Sequence, residues 1–354
     1  MRKSPQIMAE YRALYDAAGR FHDAPPHLFE GLDEYLSTLQ APEVGRRAFR
    51  HTYGFEYCYE ADPIVSAAAF LVPDYAGANT LIATLPRIVQ YDHLEKEWNP
   101  VPVANFATYR SENGYLVLAS TQFVRLVEDF SVIRSSTTPG RNGRAVWNIA
   151  PDKMPDYFAA VITDRWLSNS MPPTWGHGFV PEAVLNNELW FLSNSLMNLS
   201  CWSFLIHHEL GHIALGHLAD ETAPGQPADA GLSVEQELAA DAWAIPRCTK
   251  PILDYAKTVF RTPKAGLAGT ADVAILTVMH LLGFLAALSG RSEGIHSHPE
   301  PGTRISAAEQ LLLAEAVRFG ATGAIMAGAM SMSEFWWRVI SKRLPVDGLG
   351  TAHD

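Results

Sequence analysis

Ile206-His207-His208-Glu209-Leu210-Gly211-His212-Ile213-Ala214-Leu215-Gly216-His217 is the stretch from which the rest of this chain is read. In a helix, positions four apart lie on one face, so His208 and His212 can both reach one metal ion. Glu209 stands one residue round from His208, at the edge of that face. A carboxylate there touches a water beside the metal rather than the metal itself, which is where a general base belongs. The run before it, Cys201-Trp202-Ser203-Phe204-Leu205-Ile206, is almost wholly apolar. Ionisable groups on such a helix are costly unless something coordinates or pairs them. The spacing therefore reads as a Zn²⁺ site rather than a polar patch on an amphipathic helix.

A catalytic zinc takes three protein ligands and leaves a fourth position to water. His217 is the nearest candidate for the third. If the helix continues through it, His217 points to the opposite side, as a C-terminal residue favoured by the helix dipole. His207 is also rotated off the ligand face. A better candidate lies downstream in Val234-Glu235-Gln236-Glu237-Leu238-Ala239-Ala240-Asp241-Ala242-Trp243. This segment reads as a helix with Glu237 and Asp241 four apart on one face, while Ala239, Ala240 and Ala242 permit close approach to the first helix. Glu235 fits a solvated acidic helix start.

Glu-x-x-x-Asp following His-Glu-x-x-His resembles the gluzincin clan of zincin metallopeptidases. The resemblance implies that Glu237 is the third zinc ligand and that Asp241 accepts a hydrogen bond from a ligand histidine. Such a carboxylate fixes the imidazole tautomer and raises its basicity.

A third landmark is Ser297-His298-Pro299-Glu300-Pro301-Gly302-Thr303-Arg304-Ile305. A helix cap explains its prolines but not His298 or Arg304. Hydrolysis at zinc also needs a donor for the developing oxyanion. His298 is assigned that catalytic role, and Arg304 either shares it or is structural. In this order the landmarks resemble prenyl-protein-processing gluzincins, in which His-Pro and Arg-Ile also follow the glutamate ligand. The zinc helix, the Glu237–Asp241 segment and the strand-helix unit from Tyr115 resemble the Lit-type phage-exclusion peptidases. His-Glu-Leu-Gly-His-x-x-Leu-Gly-His also resembles the ImmA/IrrE peptidases. The match spans residues 197–306. It implies a zinc endopeptidase acting on an intracellular protein or peptide substrate.

The hydrophobic fraction of 48% against 18% charged residues describes a globular chain with a large core. A net charge of −11 argues against a general nucleic-acid binder and supplies no polybasic membrane anchor. Cys58, Cys201 and Cys248 form no spaced pair, which suits a reducing cytoplasm. The N-terminus leads into a mixed helix and not an apolar signal core. Val273–Leu288 is the most apolar stretch, but it carries Thr277 and His280 and falls short of the about 20 residues of a bilayer span.

Periodicity predicts two helices over residues 5–39, split at Ala24-Pro25-Pro26. Thr80–Leu85 and Ile88–Tyr91 fit either strand or helix, and Leu94–Pro102 reads as a connection. Asn113-Gly114 opens a strand at Tyr115–Leu118, followed by a helical pattern from Phe123 to Val132. Further helices are expected over Tyr157–Leu167, from Asn187 into the zinc helix in two pieces, and from Val234 to a stop by Pro246. Others fall near 250–260, 270–289, 305–318 and 321–342. The fold class is mainly α with a small β-sheet (α+β). It divides into an N-terminal region, 1–110, and a zincin-like catalytic domain, 111–345. The rival reading is a non-catalytic zinc protein that senses or regulates a partner. It has no use for Glu209, and a structural site ordinarily has four protein ligands.

Overall fold

The computed structural model describes residues 4–17, 79–85, 89–92, 97–100, 106–111, 113–120, most of 123–131, 188–218, 233–260 and 301–318. Within these the protein is α+β, mostly helical with a small three-stranded mixed sheet. It divides into two compact units: Met1–Leu199 with Ala223–Pro227, and Ser200–Thr222 with Ala228–Asp354.

The first unit is built on helix α1 (Pro5–Ala17) and strands β1 (Thr80–Leu85), β2 (Val89–Asp92), β3 (Glu97–Pro100), β4 (Phe106–Ser111) and β5 (Gly114–Ser120). β5 lies centrally, parallel to β1 and antiparallel to β4. Alternation decides its faces. Leu81 and Ala83 stand in register with Leu116 and Leu118, which in turn pair with Tyr109 and Ala107, and Leu85 follows on the same face opposite Ser120. These residues bury together with Ile7, Tyr11 and Leu14, the i, i+4, i+7 stripe of α1. The Tyr11 hydroxyl donates to the Thr84 carbonyl at 2.7 Å, tying helix to strand. On the other face Phe106 stacks on Phe123 at 6.0 Å, where the chain turns helical as its periodicity predicts. Gly114 has φ 145°, and a Cβ there would sit 1.9 Å from the Asn79 carbonyl oxygen, so only glycine fits.

Three elements differ from the sequence expectation. β3 occupies the segment read as a connection and pairs antiparallel with β2. It forms a two-stranded ribbon, in which both strands are edges, and an edge strand tolerates a proline such as Pro100. The helix leading into the site, α2 (Glu188–Ala214), is one continuous element rather than two pieces. Its poor helix formers Asn194, Ser195, Asn198, Ser200 and Ser203 are all buried, so tertiary packing overrides propensity. Helix α3 (Val234–Phe260) runs through both Pro246 and Pro251 instead of stopping. Each proline costs about 3 kcal/mol in a helix interior. Ala244, Ile245, Cys248, Ile252 and Leu253 bury along the same segment. At about 1.5–3 kcal/mol for each large buried side chain, that packing offsets the prolines.

Helix α4 (Pro301–Arg318) packs on α3 in the second unit. Among the described residues no helix is long and apolar enough to cross a membrane. The expected second helix of 5–39, the helix at Tyr157–Leu167, the apolar stretch Val273–Leu288 and the 321–342 helix lie outside the described residues.

Candidate metal centre

Helix α2 places His208 and His212 with their Nε2 atoms 3.1 Å apart. Glu237 on α3 completes a triangle, with Oε2 at 3.5 Å from His208 Nε2 and Oε1 at 3.5 Å from His212 Nε2. Bonds of 2.0–2.1 Å in tetrahedral geometry separate neighbouring zinc ligands by about 3.3 Å. The nitrogen pair at 3.1 Å and the two carboxylate oxygens, each 3.5 Å from one of the nitrogens, lie near that length. All three residues are buried, and they are the one cluster among the described residues whose donors converge in this way. Two imidazoles and one carboxylate are the donor set of a borderline divalent ion such as Zn²⁺.

The position of Glu237 follows from the start of α3. Ser233 Oγ accepts from the Gln236 amide at 3.3 Å, and Gln236 Oε1 accepts from the Ser233 amide at 2.8 Å. This capping box fixes the helix phase and turns Glu237 and Asp241 inward, each 2% exposed, while Glu235 stays exposed. Ser233-x-x-Gln236 is a sequence signal the reading above did not use. Close approach comes from one pair: a Cβ on Gly211 would lie 3.2 Å from the Ala240 carbonyl oxygen and 3.5 Å from its Cβ. Ala242 is exposed and Ala239 half-buried, so of the three expected alanines Ala240 makes this contact.

Asp241 Oδ1 stands 2.8 Å from His208 Nδ1. With Nδ1–H donating to it, Nε2 is the nitrogen His208 would present to a metal, once its own proton is lost. The other face of Asp241 is held by Arg304. Its Nε donates to Oδ2 at 2.6 Å and its Nη2 to Oδ1 at 2.8 Å, while Nη1 reaches Glu237 Oε2 at 3.6 Å. Arg304 enters from the first turn of α4 and is 5% exposed. Its guanidinium fork is thus spent on the two carboxylates. Glu209 is half-buried at the edge of the cluster. His298 lies outside the described residues.

The charges follow from these contacts. Burial disfavours charge on His208, but the hydrogen bond and charge of Asp241, with Glu237, more than offset it and hold the metal-free imidazole at about 10. His212 is driven down to about 3 by burial and by the neighbouring His208 charge. Burial works against ionised Asp241 as well, yet Arg304 and His208 hold it below the usual carboxylate range. Arg304 is pushed above its ordinary value because Asp241, Glu237 and Glu209 outweigh its burial.

The two remaining histidines separate. His207 is off the ligand face as expected: its Nδ1 donates to the Ser203 carbonyl at 2.7 Å, and burial lowers it to about 4. His217 departs from expectation. The helix does not continue to it but ends at Ala214, with Gly216 at φ 71°. The Gly216 amide bonds the Ile213 carbonyl and the His217 amide the His212 carbonyl, the paired bonds of a Schellman cap. That cap turns His217 back onto His212, Nδ1 to Nδ1 at 3.0 Å. Leu215-Gly216 after the last histidine was the available signal, since glycine is the usual left-handed residue past a helix end.

No curated protein and no solved structure matches the chain. Residues 152–321, a stretch that carries every member of this cluster, match the model of the Peptidase U49 family, and in that part the chain is similar to peptidases.

Proposed function

We propose that this protein is a zinc-dependent endopeptidase of the gluzincin kind, acting on an intracellular protein or peptide, with its catalytic part within residues 111–345. The observation that carries the reading is the buried convergence of His208 Nε2, His212 Nε2 and the Glu237 carboxylate, with the two nitrogens 3.1 Å apart and one carboxylate oxygen 3.5 Å from each. A bound Zn²⁺ supplies Lewis acidity toward water and toward the scissile carbonyl. Glu209, adjacent to His208, takes the proton of the attacking water and delivers it to the leaving amine nitrogen. Asp241 keeps the His208 proton on Nδ1, and Arg304 keeps Asp241 ionised. With Arg304 committed to Asp241, His298 is the remaining sequence candidate for the oxyanion donor.

Among the described residues the cluster has three ligands and not the four of a structural zinc site, which supports a catalytic role. The test compares cleaved protein termini in cells expressing wild type or Glu209→Gln. The amide cannot accept the proton, so cleavage falls by on the order of 10²-fold or more while zinc content and fold stay. A cellular effect that survives Glu209→Gln intact would instead establish a non-catalytic zinc protein.

A further inference from the structure

The two ligand histidines need the same service. Each must present Nε2 to the metal, so each must carry its proton on Nδ1 and keep its ring from turning. For His208 the partner is Asp241. His212 lies on the same helix face, and among the described residues no carboxylate stands against its Nδ1. What stands there is the ring of His217, with Nδ1 at 3.0 Å and ring centroids 5.2 Å apart.

Two imidazole nitrogens at hydrogen-bond distance can share only one proton, and the geometry says which ring holds it. His212 Nε2 faces His208 Nε2 at 3.1 Å and Glu237 Oε1 at 3.5 Å, inside the ligand triangle. A ligating Nε2 is unprotonated, so the His212 proton is on Nδ1 and His217 Nδ1 is its acceptor. His217 is then neutral, with its own proton on Nε2. The backbone makes this arrangement durable. Gly216 at φ 71° lets the chain double back, and the His217 amide is pinned to the His212 carbonyl at 3.0 Å. The same two residues are therefore joined twice, once through the main chain and once through the rings.

We propose that His217 is a positioning residue for His212: it accepts the Nδ1 proton, fixes the ligating tautomer and holds the ring in plane for the metal, the part Asp241 plays for His208. The inference rests on the metal reading above. It assigns His217 no contact with metal or substrate.

The test is Zn²⁺ affinity of the full chain, measured by competition with a chromophoric chelator, in wild type, His217→Ala, His217→Asn and His217→Phe. Loss of such a hydrogen-bonding partner typically costs 10–100-fold in metal affinity. His217→Ala is expected to weaken Zn²⁺ binding by that factor, and His217→Phe, which keeps a ring but no acceptor, by as much. Asparagine places its Oδ1 where the histidine has Nδ1, so His217→Asn should bind within about threefold of wild type. Melting temperatures of the metal-free variants should agree within about 2 °C, because Gly216 and the backbone cap remain. Three results would overturn the proposal: His217→Ala binding Zn²⁺ as tightly as wild type; Phe restoring affinity where Asn does not; or His217→Ala losing zinc as completely as His212→Ala, which would make His217 a ligand. Wild type that binds no Zn²⁺ at all would sink the metal reading itself, a distinct outcome.

Discussion

Arg304→Leu separates a structural from a catalytic role for the one arginine in the cluster. Leucine keeps much of the volume and removes the charge. It leaves Asp241, 2% exposed, without the donors at 2.6 and 2.8 Å that now satisfy both of its oxygens. Removing one partner of a buried ion pair ordinarily costs about 3–5 kcal/mol. The loss has a ceiling, since a carboxylate too costly to keep ionised takes a proton. At pH 7 that escape, from a reference of 3.8, costs about 4.4 kcal/mol at 1.36 kcal/mol per unit. The expected loss is therefore about 3–4.4 kcal/mol, or about 6–17 °C in melting temperature for a unit of this size. Its pH dependence has a definite sign. Asp241 is held below its ordinary range, so its contribution is present above pH 3.8 and is lost as pH falls through the lowered value. Between pH 8 and 4 the wild type keeps that contribution, while in Arg304→Leu protonation of Asp241 becomes cheaper as pH falls, so the gap should be widest near neutrality and narrow toward pH 4. Thermal melts of the metal-free proteins from pH 4 to 8 measure it. An unchanged melting temperature together with a hundredfold drop in turnover would refute this reasoning and return Arg304 to the substrate carbonyl.

Metal loading should release about one proton per ion near pH 7.5, because the metal-free His208 is held at about 10 and must lose its proton while His212, at about 3, is already neutral. Titration calorimetry in buffers of different ionisation enthalpy reads this, and a Zn²⁺ affinity that does not rise between pH 6 and 8 would contradict it. Gly211→Val drives side-chain atoms into the Ala240 backbone, where even a Cβ lies at 3.2 Å, and should cost about 1–3 kcal/mol. It should also weaken zinc binding as Glu237 is displaced from the histidines; zinc affinity equal to wild type would show that the helices need not approach so closely. His298→Ala should cut turnover by about two orders of magnitude, as loss of an oxyanion donor does, with zinc content and melting temperature unchanged. Turnover within a few-fold of wild type would remove His298 from the site.

What was legible in the sequence is what a single helix encodes. His208 with His212, and Glu237 with Asp241, are i, i+4 pairs, and their convergence needed only two helices side by side. The apolar stripe Ile7, Tyr11, Leu14 and the strand at Gly114–Ser120 were readable for the same local reason. The fork of Arg304 on Asp241 was not, because it joins segments 63 residues apart and depends on how α4 packs on α3. The place of His217 depends on Gly216, where a left-handed residue ends the helix against the continuity that its neighbours' pattern suggests. Pro246 misled in the opposite direction: its local cost is real, but burial of Ala244, Ile245 and Cys248 around it decides the outcome.

The Arg304 clamp also sets a clock. Translation proceeds at about 5–20 residues per second, so Arg304 is added about 3–13 s after Asp241, 63 residues earlier in the chain. Throughout that interval the nascent polypeptide carries His208, His212 and both carboxylates, but not the cation that makes their burial affordable. Glu237 and Asp241 must stay hydrated, and the cleft cannot close. The cluster is therefore complete only once Arg304, at the start of α4, has been added to the chain.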